Sequence, residues 1–305
     1  MRAPVRIRRS LIDLDDLTAE ELAYIFERTA QFEREPPGPL LAGKACVNMF
    51  FEESTRTFTS FHLAELRLGA NVLDLVPKNL SLATKGETLE DTAITLGALG
   101  ICVLVVRHSE PGFPQRMALA FDGHVINAGD GVHAHPTQAL LDIYTLIEEF
   151  GEVQGRTVAI VGDILHSRVA HSTIRGLARL GASIVLVGPE AFLPSTYAGG
   201  QVTVARDLDA VLPSADAVVL LRIQRERFVE IPISDREYIE RFRLDRRRLS
   251  LLRKEAIIMH PGPYNRGVEL DDSVLEFAGW RYARQVQHGV AVRMAVLDLL
   301  VNVRQ

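Results

Sequence analysis

Eight short apolar runs, separated by longer segments with apolar residues at helical spacing, constrain this chain more than any other feature of its sequence. The runs are ACVNMFF (45–51), NVLDL (71–75), ICVLVV (101–106), HVINA (124–128), TVAIVG (157–162), SIVLVG (183–188), DAVVLL (216–221) and AIIMH (256–260). Between them lie TSFHLAELRLGA (59–70) and HSTIRGLARLGA (171–182), each with a helical period and a closing Gly-Ala. Strands that alternate with helices must pair in parallel and be covered on both faces, because each crossover helix packs back on the sheet. The pattern restarts after the helix candidate HPTQALLDIYTLIEEFG (135–151). A second long candidate, HGVAVRMAVLDLLVNVRQ (288–305), closes the chain. The expected fold class is α/β: two doubly wound parallel-sheet domains joined by interdomain helices. One domain comprises 1–134 with the C-terminal helix 289–305, the other 135–288. The charge-dense stretch Asp235–Arg253 reads as a solvated loop and helix.

A chain of 305 residues has enough length for two cores of roughly 150 residues each. Its net charge of −5 argues against a nucleic-acid partner, which calls for a concentrated basic field. An acidic protein that binds anions must place its cations locally, so individual Arg and Lys residues become informative. The two cysteines, Cys46 and Cys102, sit in apolar runs and read as buried small hydrophobes; two give neither a disulfide framework nor a zinc spacing. The first residues, MRAPVRIRRSLIDLDDL, contain no apolar leader core, and no run approaches the about 18 apolar residues of a membrane helix. A cytoplasmic location without membrane contact is the expectation.

The segment FFEESTRTFTSF starts at Phe50 and takes a strand through Ser54, Thr55, Arg56 and Thr57 into a helix. Hydroxyls and unpaired backbone N–H groups at a helix N-terminus, beside a guanidinium able to grip two oxygens, form a phosphate cradle without a glycine-rich loop. The plainer alternative is Ser/Thr capping with a surface arginine. Arg107, in LVVRHSE, follows a buried strand at the edge where open α/β sheets bind ligands; the neighbouring His108 reads as structural.

His135, in HPTQ, opens a long helix and is placed to donate to a carbonyl oxygen gaining negative charge. Gln138, one turn on, is placed to accept from an amide NH2; a capping histidine is the competing reading. VGDILHSRVAHS (161–172) lacks G-x-G-x-x-G, so nicotinamide binding is poorly supported. There Arg168 projects from the first helical turn, while His166 and His171 have no carboxylate or cysteine at metal-ligand spacing. In LLRIQRER, Arg222 and Gln224 follow a buried strand and suit a carboxylate, whereas Arg225 and Arg227 read as solvated. Pro261-Gly262-Pro263 fixes a turn after the last strand that can aim backbone carbonyls at a ligand. Lys85, in the polar loop SLATKGETLEDT that begins at Ser81, could reach a distant anion.

Taken in order, STRT, VxRH, HPTQ, GDxxxSR, LRxQxER and HPGPxNRGVE span nearly the whole chain. The combination resembles the carbamoyltransferase family and, within it, the aspartate carbamoyltransferases. The resemblance implies that Ser54, Thr55, Arg56 and Thr57 bind the phosphate of carbamoyl phosphate. It implies further that Arg107 contacts phosphate and carbonyl oxygen, that His135 polarises the carbonyl, and that Gln138 holds the carbamoyl NH2. Arg168, Arg222 and Gln224 would grip the carboxylates of L-aspartate, with Lys85 also on the aspartate side. Pro261 and Gly262 would orient the amine and the carbamoyl group. Ser81 and Lys85 would enter from a neighbouring subunit of a homotrimer. The implied reaction is an early step of pyrimidine biosynthesis and needs no metal and no organic cofactor. Regulatory or dihydroorotase chains are further partners the family admits, and nothing in the sequence selects among them.

Two positions depart from the family pattern. Phe58 stands where many relatives have a second arginine, which would alter a supporting salt bridge while sparing Arg56. Gly262 is bulkier in some relatives and contributes mainly backbone. Ornithine carbamoyltransferase, the nearest alternative, would carry an HCLP turn and an SMG motif; here the turn is HPGP, and Arg222 would repel an ammonium. A dehydrogenase is opposed by the missing glycine fingerprint. A non-catalytic scaffold subunit of the same fold would show eroded motifs, yet every matched position is filled.

Overall fold

Burial on both faces turns the apolar runs into central parallel strands, and partial exposure marks the edges. The computed structural model describes residues 10–75, 85–195, 201–224 and 233–303. Contacts divide the chain into two units, Met1–Thr137 with Val286–Gln305, and Gln138–Gln285.

In the first unit, β1 (Ala45–Phe50), β2 (Asn71–Leu75), β3 (Ile101–His108) and β4 (His124–Asp130) form a parallel sheet in the order β2-β1-β3-β4. Helices α1 (Ala19–Arg34), α2 (Thr55–Arg67), α3 (Leu89–Ala98) and α4 (Phe113–Ala120) belong to this unit. Leu104 and Val106 of β3 pack with Met49, Leu96, Met117 and Phe121 in its core. Helix α5 (Pro136–Phe150) carries the chain into the second unit.

There the parallel order is β7-β6-β5-β8-β9, from β5 (Thr157–Val161), β6 (Ser183–Val187), β7 (Val202–Ala205), β8 (Ala217–Leu220) and β9 (Ile257–Met259). Helix α6 (Arg168–Arg179) follows β5, and α7 (Leu208–Val211), α8 (Asp235–Phe242), α9 (Arg246–Leu249) and α10 (Asp272–Leu275) are shorter. Its core gathers Val161, Leu220, Phe192, Tyr238 and Phe242. Helix α11 (Tyr282–Asn302) leads back to the first unit, beginning six residues before the expected His288.

Gly69 and Gly181 follow α2 and α6 with φ of +76° and +78°. This left-handed conformation ends a helix with little strain only at glycine, so the Gly-Ala pairs are the stops that the sequence pattern suggests.

Three expectations need correction. Strand β7 has no counterpart among the expected runs, because it is a four-residue edge strand with a mixed burial pattern. The stretch Asp235–Arg253 is not simply solvated: Tyr238 and Phe242 enter the core, and Arg248 is 4% exposed. Its guanidinium donates to Asp209 Oδ1 (2.6 Å), Arg243 O (2.7 Å) and Glu240 O (3.0 Å). A charged side chain can be buried when its donors are so satisfied. Of the cysteines, Cys46 is buried but Cys102 is only half-buried; neither is in a disulfide.

Candidate active site

The first unit's sheet reverses its strand order between β1 and β3, since β2 lies outside β1 and β4 outside β3. Such a switch point leaves a crevice beyond the carboxyl ends of the two strands. Ser54–Thr57 follow β1, and Arg107, the last residue but one of β3, pairs with Phe50. Ser54 is the N-cap of α2 in extended geometry (φ −162°), and its side chain makes no capping hydrogen bond. Phe58 N–H bonds back to Ser54 O at 3.2 Å. The N–H groups before it, on Thr55, Arg56 and Thr57, have no acceptor within the helix and point out of its positive end. Such a helix end can accept an anion mostly through backbone, and Arg56 stands in the same first turn.

Thr57 is 6% exposed, and its Oγ1 lies 3.4 Å from His135 Nε2. His135 is held by its surroundings. Pro136 starts α5, where a missing N–H removes no helix bond. The preceding loop is organised by buried Asp130, whose Oδ2 accepts from Gly112 N–H (2.7 Å). Its Oδ1 accepts from Ala134 N–H (3.1 Å) and Asn127 Nδ2 (2.8 Å). His133 Nδ1 stands 3.0 Å from Asp130 Oδ2. Arg107 is placed by Glu52 (Nε to Oε2, 3.4 Å) and by Ala128 O (3.4 Å from Nη1). Neither Asp130 nor Glu52 is among the residues the sequence singles out. The spacing of Asp130 from His135, in GDGVHAH, is the signal that could have found it.

Beneath the cradle, Asn48 of β1 donates to Glu65 Oε2 of α2 (2.8 Å) and to Asp74 Oδ1 of β2 (3.1 Å). Burial, then the charge of Asp74, pushes the Glu65 carboxyl up to about 8, against the opposing hydrogen bond from Asn48. Phe58 packs edge-on against Phe50 at 5.3 Å and lies 6.0 Å from His62. An aromatic contact thus occupies the place where the sequence comparison anticipates a salt bridge.

In the second unit the order reverses between β5 and β8, with β9 beyond β8. Arg168 (7% exposed) opens α6 behind Ser167, whose Oγ caps Ala170 N–H at 3.1 Å. Arg222 and Gln224 follow β8, and Gln224 Nε2 donates to His166 O at 3.3 Å, joining the loops after the two strands. His166 does have a carboxylate, contrary to the sequence reading: Asp163 Oδ1 lies 2.9 Å from its Nδ1 and also accepts its N–H. Pro261 and Gly262 follow β9, and Gly262 sits at φ +69°. Gln138 Nε2 donates to Asp142 Oδ1 at 2.9 Å, within the same unit.

The phosphate-side candidates thus gather at the first sheet's edge and the carboxylate-side candidates at the second's. Lys85 is exposed on the turn before α3, and no described hydrogen bond or ion pair joins it to them. Ser81, Arg225 and Arg227 lie outside the described residues. A helix-terminus anion site beside a hydroxyl–imidazole pair can hold a phosphoryl group and stabilise an oxyanion next to it.

Comparison with known proteins agrees with this chemistry. Residues 9–148 match the carbamoyl-P binding domain of the aspartate/ornithine carbamoyltransferase family, and residues 154–300 match its Asp/Orn binding domain. The chain belongs to that family. Among curated relatives, an aspartate carbamoyltransferase catalytic subunit of Acidothermus cellulolyticus is 48% identical over 301 residues, covering 96% of this chain and 93% of the relative. One from Salinispora arenicola is 50% identical over 290 residues, covering 93% and 92%. The aspartate transcarbamoylase of Trypanosoma cruzi, solved with carbamoyl aspartate and phosphate, superposes with a TM-score of 0.86 at 30% identity, covering 96% of both chains. The same enzyme is also solved with N-(phosphonacetyl)-L-aspartic acid.

Proposed function

We propose that the chain transfers the carbamoyl group of carbamoyl phosphate to L-aspartate, giving N-carbamoyl-L-aspartate and phosphate. The observation that carries this reading is the approach of Thr57 Oγ1 to His135 Nε2 beside the amino end of α2. The neutral amine attacks the carbonyl carbon, and a tetrahedral oxyanion forms. The bond from carbon to the phosphate oxygen then breaks, and the amine proton leaves with the phosphate. Thr57, Arg107 and His135 surround the oxyanion; Ser54, Thr55 and Arg56 hold the phosphate. One such donor is worth about 3–4 kcal/mol of barrier, and the alignment of two anionic substrates about 7–11 kcal/mol.

Residues 1–134 with 289–305 are assigned to carbamoyl phosphate, and residues 135–288 to aspartate. Arg168, Arg222 and Gln224 take the aspartate carboxylates, and Gln138, Pro261 and Gly262 orient the carbamoyl group. Arg222 favours a substrate with a side-chain carboxylate over one with an ammonium. The working unit is a homotrimer in which Ser81 and Lys85 come from a neighbouring subunit, located in the cytoplasm and serving pyrimidine biosynthesis. Among the described residues no helix is long and apolar enough to cross a membrane.

The test offers carbamoyl phosphate with L-aspartate and L-ornithine in parallel to the purified chain. Carbamoyl aspartate alone is the expected product. Citrulline would keep the family and overturn the substrate, and neither product from a folded oligomer would favour the scaffold reading.

A further inference from the structure

Asp142 carries no role in the reading above, yet two glutamines converge on one of its oxygens. Gln138 Nε2 donates to Oδ1 at 2.9 Å, and Gln285 Nε2 donates to the same atom at 2.7 Å. Gln285 Oε1 in turn accepts the N–H of His260 at 2.9 Å, and His260 Nδ1 accepts the N–H of Gly262 at 2.8 Å. Asp142 is 0%, His260 1%, Gln285 2% and Gln138 8% exposed. Gln138 and Asp142 are four residues apart on α5, so they share one face of the helix.

A carboxamide can present either its oxygen or its nitrogen, and only its partners decide which. Asp142 Oδ1 accepts from both amides and offers neither a donor. Asp142 therefore turns the nitrogen of both glutamines toward itself. Gln138 must then present Oε1 on its far side, the polarity needed to accept from an NH2 group. Gln285 must present Oε1 to His260, which ties the turn after β9 to the same carboxylate. If Asp142 were removed, either amide could flip, and a flipped Gln138 would oppose NH2 with NH2.

We propose that Asp142 is a positioning residue for carbamoyl transfer, fixing Gln138 with Oε1 toward the carbamoyl NH2 and, through Gln285, steadying the Pro261–Gly262 turn. This inference rests on the function proposed above. It gives Asp142 a part in telling a carbamoyl group from an acyl group of the same shape. Acetyl phosphate is the natural probe, because a methyl group replaces the NH2 and nothing else changes.

The experiment uses the full chain in its native assembly and compares wild type with Asp142→Ala and Asp142→Asn. Dissociation constants for carbamoyl phosphate and acetyl phosphate are measured beside kcat with aspartate. Wild type is expected to prefer carbamoyl phosphate. In Asp142→Ala that preference should fall at least tenfold and kcat about a hundredfold, with acetyl phosphate binding unchanged within twofold. Asp142→Asn keeps an accepting oxygen and should recover most of the preference. An Asp142→Ala protein with wild-type preference, or one losing affinity for both phosphates equally, overturns the proposal. Should Asp142→Ala fail to fold, Gln285→Leu takes its place: a several-fold loss of preference is expected, and an unchanged preference overturns the link to the turn. Failure of wild type to turn over carbamoyl phosphate and aspartate would instead overturn the function on which the inference rests.

Discussion

Thr57 and His135, 78 residues apart in the chain, meet at 3.4 Å between Oγ1 and Nε2, both almost fully buried. One stands in the first turn of α2 and the other immediately before α5, so the contact joins the phosphate cradle to the residue assigned to the carbonyl. Thr57→Val keeps the shape and removes the hydroxyl. It should lower kcat about a hundredfold while carbamoyl phosphate still binds, as expected for a group that acts mainly on the transition state. Steady-state kinetics with circular dichroism as a folding control would check it; an unchanged kcat would remove Thr57 from the oxyanion assignment.

Arg56 is assigned the side-chain charge of the proposed phosphate cradle. Arg56→Ala should lose most activity, at least a hundredfold in kcat/KM, and should stop being inhibited by inorganic phosphate at millimolar concentration. Size-exclusion chromatography and the far-ultraviolet spectrum should match wild type. Normal turnover in this variant would dismiss the cradle.

Asp130 accepts three hydrogen bonds from the loop and strand around it. In Asp130→Ala three donors lose their acceptor, which predicts a loss of about 3–5 kcal/mol in urea unfolding. His135 should be displaced as well, so kcat should fall in whatever fraction remains folded. A midpoint shift worth less than about 1 kcal/mol would contradict this account.

Glu65 predicts a pH dependence. Its folded carboxyl is raised to about 8, chiefly by burial, whereas an unfolded glutamate titrates near 4.5. Between those values the folded chain holds a proton that the unfolded chain has released. Stability therefore falls as pH rises from 4.5 to about 8, with a slope of at most about 1.4 kcal/mol per pH unit from this group. Glu65→Gln cannot titrate and should flatten that slope. Urea unfolding at pH 5.5 and pH 8 for both proteins would decide; parallel slopes would refute the prediction.

Much of the fold was legible because parallel strands buried on both faces must be nearly continuous apolar runs; seven of the eight runs lie in largely buried strands, and the eighth, NVLDL, lies in the exposed edge strand β2. Strand β7 was not, because an edge strand such as Val202–Ala205 needs no such run. Arg248 was misread for a related reason: sequence shows a charge but not the carbonyls and the Asp209 carboxylate that satisfy it. At the candidate site, residues that begin helices or end strands stood out, since chain direction alone brings them to one sheet edge. Asp130, Asp142 and Gln285 were missed. Their importance lies in partners up to 143 residues away, as with Asp142 and Gln285, and no local pattern encodes that separation.

Ser54 occupies the N-cap of α2 without capping it, a forfeited interaction usually worth about 1 kcal/mol. An anion bound at the proposed cradle would accept from the N–H groups of that first turn. A ligand that binds only the folded chain adds RT ln(1 + [L]/Kd) to stability. Thermal melting should thus rise steeply with phosphate-bearing ligands, so the protein's own Tm can serve as a cheap titration signal for screening compounds aimed at the cradle.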